Sequence, residues 1–195
     1  MDILFGLFCG LGLSAACGFR IFVPLLAVSI ASLSGNLELA PDWAWMGSYP
    51  ALIAFGIATV IEVGAYYLPW IDNLLDVVAT PTAIIAGTMI TASFIPEMSP
   101  LLQWTLAAIT GGGAAGSVQL LTDVTRVATN VTTAGLGNPV VSTMELTSAT
   151  VLSILAIALP ILGMVLTVGV ILFAVQKLWK RWKGKKLSDE NMNQD

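Results

Sequence analysis

The chain has 195 residues, of which 56% are hydrophobic and only 10% charged, with a mean hydropathy of +0.87. About 25% charged residues is usual for a soluble domain, so this composition excludes a protein with a water-covered surface and predicts a polytopic membrane protein. There is no histidine. That removes imidazole acid–base catalysis, Ser-His-Asp triads and histidine-ligated metals together, so no catalytic residue, metal ligand or cofactor is assigned. Nothing in the charge of −4 points to nucleic acid.

Five apolar units follow one another, and four or more of them approach or exceed the roughly 20 residues that cross a bilayer. The first, residues 3–33, lacks a basic leader and a cleavage site and reads as a retained span. It holds both cysteines, Cys9 and Cys17, and is interrupted at Gly18, Arg20 and Pro24. A connector with Trp43, Trp45 and Tyr49 suits an interface. The second unit, about 51–68, contains Glu62. After "YYLPW" the third unit begins with Asp72 and Asp76. The fourth, from Leu101 to about Val131, is broken by the glycines 111–113 and carries Asp123 and Arg126. The fifth, about 145–176, starts at Glu145 and is kinked at Pro160.

Residues 1–176 therefore form a single membrane domain. Six of the eight basic residues lie in the tail 177–195: Lys177, Lys180, Arg181, Lys183, Lys185 and Lys186. Basic residues next to a span mark the cytoplasmic side, so the C-terminus is expected inside, with an acidic, disordered end "SDENMNQD". Five crossings place the N-terminus outside. They also permit inverted two-helix repeats, with the two interrupted units meeting near the midplane. Small-residue faces such as "GGGAAGS" serve close helix packing and permit a homo-oligomer.

Outside the tail only Arg20 and Arg126 are basic, and each sits in an interrupted unit. An arginine at the bilayer centre faces a partner or water. Two readings follow. The arginines neutralise an anionic solute or lipid headgroup, with Gly18, Thr125 and Asn130 beside them as binding residues. Alternatively they pair internally with Glu62, Asp76, Asp123 or Glu145 and fix the helices. Glu62, Asp72, Asp76, Asp123 and Glu145 are the coupling or ion-pair acids. Asp72 and Asp76 share a helix face, and Asp72 also suits a hydrated or capping position. An enzyme reading is weaker. "DNLLD" faintly resembles the aspartate-rich motifs of membrane prenyltransferases, but the only other candidate, "TDVTR", has one aspartate where shared metal binding needs several acids.

The order of motifs resembles a bacterial membrane family catalogued as domain of unknown function 4126. The motifs are "GLSAACGFRIFVPLL", Glu62 leading into "YYLPWIDNLLDVVATPTAIIAG", then "TRVATN", "GNPVVS" and "MELTSATVLSILAIALP". The resemblance covers about residues 8–165. It falls on Glu62, Asp72, Asp76, Pro81, Gly87, Thr125, Arg126, Asn130, Pro139 and Glu145. The family often has an arginine before the matched proline, where this chain has Thr80. It often has Ser-Pro-Glu-Pro where this chain reads "GLGNP", and Glu-Asp where this chain has Glu145-Leu146. These departures remove charges, and the resemblance implies architecture and site positions without an activity.

The reading is an all-α polytopic integral membrane bundle of about five hydrophobic segments, the first and fourth interrupted. Its expected function is a small secondary transporter or lipid translocator for an anionic solute or headgroup, partnered by membrane lipid. The rival is a non-transporting scaffold or assembly factor whose buried charges are structural.

Overall fold

The computed structural model describes the backbone of residues 3–67, 69–95 and 98–192, and the side chains of 4–67, 78–95, 98–176 and 179. Among the described residues the protein is all-helical. In chain order the helices are α1 (Ile3–Cys17), α2 (Phe22–Leu33), a 3-10 helix (Pro41–Gly47), α3 (Tyr49–Ala65), α4 (Pro69–Ser93), α5 (Pro100–Ala107), a π turn (Ala108–Gly112), α6 (Gly113–Thr133), α7 (Asn138–Ala158) and α8 (Pro160–Met192).

The first apolar unit is a helical hairpin and not one interrupted span. Helix α1 runs antiparallel to α4. A Cβ on Gly6 would stand 2.9 Å from the Phe94 carbonyl, and Ser14 Oγ donates to the Gly87 carbonyl at 2.6 Å. After α2, the Ala40 N–H donates to the Ser93 carbonyl at 2.9 Å, so the chain has come back to the level at which α1 began. The hairpin tip is residues 18–21. Pro24 does not interrupt anything. It lies in the first turn of α2, where a missing N–H costs no intrahelical bond.

The fourth unit is continuous. Helices α5 and α6 join through the π turn, which accommodates the glycines without leaving the helix. Gly111 and Gly112 are buried there, and a Cβ on Gly112 would meet Thr88 Oγ1 at 2.6 Å. A Cβ on Gly87 of α4 would meet the Ala115 Cβ, also at 2.6 Å. Glycine thus sets how closely α4 and α6 approach. The two interrupted units expected to match do not share a shape, although they do meet: Gly18 packs against Ala115, Val118 and Gln119 of α6.

The fifth unit is two helices. Helix α7 begins at Asn138, with Pro139 in its first turn, and ends at Leu159, whose φ of −138° and ψ of 69° leave the helix. Val170 and Ile171 of α8 pack into the cluster of Leu152, Ala15, Ala16 and Val118, so α8 runs back along α7. Gly163 sits against Ala156 at that corner. Pro160 starts α8 instead of kinking a longer helix, because its ring is at home in a first turn. Helix α8 continues to Met192, into the stretch expected to be disordered.

By length and composition α7 can cross a membrane, and the 3-10 helix with α3 passes the same test as a pair bent by 62°. Hydroxyls on these helices turn inward to their own backbone. Thr125, Thr129, Thr132 and Thr133 of α6 donate to the carbonyls of Leu121, Thr125, Ala128 and Thr129 at 2.8–2.9 Å.

Candidate functional site

Three elements bring charge to one place inside the bundle. The hairpin tip supplies Arg20, α6 supplies Arg126 and α7 supplies Glu145; all three are almost wholly buried. Arg126 holds Glu145 side-on, Nε to Oε1 at 3.0 Å and Nη2 to Oε2. Its Nη2 also donates to Ser142 Oγ at 3.2 Å. Arg20 reaches the same two residues: its Nη2 lies 3.3 Å from Glu145 Oε2 and donates to the Ser142 carbonyl at 3.2 Å. Ser142 and Glu145 are three residues apart and so share a helix face.

Tyr66, at the end of α3, gives both cations a ring. The guanidinium carbon of Arg20 lies 3.8 Å from the ring centroid and that of Arg126 lies 4.4 Å from it. Such contacts contribute about 0.5–2 kcal/mol. Sequence reasoning missed Tyr66. The signal was available: an aromatic residue four positions after Glu62 lies on the same face of α3 as that acid.

Glu62 lies beside the cluster and binds backbone. Its carboxylate accepts the backbone N–H of Ile21 at 2.8 Å and of Phe22 at 3.1 Å. These are donors at the start of α2, where no intrahelical acceptor exists. The acid caps the hairpin tip immediately after Arg20, and among the described ion pairs it is not a partner of either arginine.

Arg20 keeps unspent capacity. It is 2% exposed, and its Nε and Nη1 have no hydrogen-bond partner among the described residues. A buried donor left unmade costs about 1–3 kcal/mol, and more on a charged group. The Nε–H and Nη1–H bonds face different edges of the guanidinium, so they present room for more than one acceptor.

The remaining candidates fall outside this cluster. Gly18 is committed to packing on α6, where a Cβ would meet Val118 Cβ at 2.6 Å and the Gln119 nitrogen at 2.9 Å. The Thr125 hydroxyl is spent on Leu121. Asn130 is half-buried and lies beside Gly135 in the turn leading to α7. Asp123 accepts from Thr80 Oγ1 at 2.9 Å and from Gln119 Nε2 at 2.8 Å. It is thus held by neutral donors, with no ion pair among the described residues. Asp72 and Asp76 lie outside the described side chains.

The order of these groups along the chain decides the kinship. The chain belongs to the family described as domain of unknown function (DUF4126), whose model matches residues 7–180. No curated protein and no solved structure matches. Within the DUF4126 pattern, Thr80 stands where the resemblance places an arginine. Its hydroxyl donates to the Asp123 carboxylate.

Proposed function

We propose that this DUF4126 chain is an integral membrane carrier for a small anionic solute or an anionic lipid headgroup, with Arg20 as its binding charge. In this reading α3, α4, the α5–α6 helix, α7 and α8 cross the bilayer, and α1–α2 enters from one face and returns to it. The basic tail after α8 marks the cytoplasmic side, and the first residues then lie on the other. The outward face supports this placement. Val60 on α3, Val131 on α6, Ile154 on α7 and Phe173 on α8 are all more than half exposed, while the arginines face inward. Only 33% of the most apolar stretch of α7 is buried, so its apolar surface needs a cover that the chain itself does not provide.

The observation that carries the reading is Arg20 itself: a permanent cation at the tip of a re-entrant hairpin, with N–H groups available for acceptors. Interrupted helices of this kind place solute sites near the midplane of carriers. A scaffold is the second reading, favoured by the side-on Arg126–Glu145 fork, which is a complete ion pair and fixes α6 against α7 without any ligand.

Cys17, three residues before Arg20 and fully buried, separates the two. In Cys9→Ser protein in sealed vesicles, a membrane-impermeant maleimide labels Cys17 from one side if a carrier cycle wets the hairpin tip. Silence from both sides, with full reaction after denaturation, favours the scaffold and removes the carrier reading.

A further inference from the structure

Of the five acids that the sequence offers for a coupling or ion-pair role, three have described side chains, and the geometry separates them. Glu145 is shared by two guanidinium groups. Asp123 sits with Thr80 and Gln119. Glu62 alone of the three holds a piece of backbone. Its two oxygens each take one N–H, from Ile21 and from Phe22, and these are the two residues that follow Arg20.

We infer that Glu62 is a proton-operated clasp, a positioning residue that fixes the hairpin tip, and with it Arg20, only while it is a carboxylate. Two N–H groups aimed at two oxygens are met best by the ionised form. Adding a proton from water to one oxygen leaves it a much weaker acceptor and removes the charge, so the bond to that oxygen weakens and opens. The 3.1 Å bond to Phe22 is the longer and yields first. The start of α2 then loses both an acceptor and the negative charge that its N-terminus favours. Removing the proton restores the clasp, and the proton returns to water.

The groups facing Glu62 are consistent with this work. Arg20 comes from the tip and Glu145 from α7, and both act on it electrostatically. Cys17 of α1 lies within its field. Tyr66, one turn on in α3, stacks on Arg20, and Arg126 of α6 lies over the same ring. Glu62 is 8% exposed, and among the described residues its carboxylate is held by the two backbone N–H groups and not by a bonded cation. This inference deepens the carrier reading and rests on it for its purpose: loading a proton would loosen the segment that presents the anion-binding charge.

The test is amide hydrogen exchange at Ile21 and Phe22 in the full chain in lipid nanodiscs, followed over pH by NMR and corrected for intrinsic exchange. In the natural protein, protection of these two amides drops about ten- to a hundredfold as pH falls, the size of losing a hydrogen bond to a charged acceptor. In Glu62→Gln the protection is low throughout and the step is gone, because the amide offers one acceptor oxygen and no charge. A structural Glu62 that never takes a proton would give low protection in the variant but a flat profile in the natural protein, and that flat profile overturns the inference. A step that survives in Glu62→Gln overturns it as well. If Glu62→Gln does not fold, the profile of the natural protein decides alone. A silent Cys17 together with an exchange step sinks the carrier and leaves the clasp standing, so the two failures are distinguishable.

Discussion

Residues 3–33 and 100–133 start from similar material, an apolar run with glycines in its middle and one arginine, and they take different shapes. The first folds into a hairpin, and the second stays one helix with a π turn in it. The difference lies outside both segments. At the tip of the hairpin, the N–H groups of Ile21 and Phe22 find the Glu62 carboxylate, so the chain can leave the helix without stranding donors. Around Gly111–Gly113 no such acceptor comes in, and the backbone satisfies itself by staying helical. In a dry interior glycine permits a break, but an external acceptor is what makes the break affordable.

The two segments meet on Glu145, and removing it is the most severe way to break the comparison. Glu145→Ala leaves Arg126 and Arg20 without their shared carboxylate. A loss of about 3–5 kcal/mol is expected, the size seen when one member of a buried pair is deleted. Unfolding in detergent by denaturant measures it, and a loss under about 1 kcal/mol would show that the arginines are held by something else. Next in size are the glycines that set helix approach. Gly18→Ala in the hairpin and Gly111→Ala in the continuous helix each push a methyl into neighbouring atoms. Each should lose about 1–3 kcal/mol as overpacking does, with helix content by circular dichroism unchanged for Gly111→Ala. The smallest effect has the opposite sign. A Cβ on Gly113 meets nothing within 4 Å, so Gly113→Ala should gain up to about 1 kcal/mol from helix propensity. If Gly111 and Gly113 respond alike, close packing is not what holds the glycines in place.

Much of the site was readable before the fold. Arg20, Arg126, Glu62 and Glu145 stand out because a charge among apolar residues needs a reason, and all four stand in or beside one cluster. What could not be read was who holds whom. Glu62 was expected as a coupling or ion-pair acid, yet its partners are backbone N–H groups, which carry no letter in a sequence. The segmentation failed for a related cause. A hairpin and a crossing have the same apolar composition, so the interruption at Gly18 and Arg20 marked a break in residues 3–33 but not a reversal of direction. Likewise Pro160 is as suited to starting a helix as to kinking one, and only the Leu159 backbone and the packing of Val170 and Ile171 decide.

The threonines of α6 have a consequence for how such chains are scored. A hydropathy index treats every hydroxyl as a group still asking for water. On α6 the hydroxyls of Thr125, Thr129, Thr132 and Thr133 already answer to carbonyls of their own helix. The oxygen is folded against the backbone, and on the same helix Val127 and Val131 are exposed. The surface of this helix is therefore oilier than its letters. Segments of this type, dense in threonine and poor in leucine, are the ones that span-finding by average hydropathy passes over.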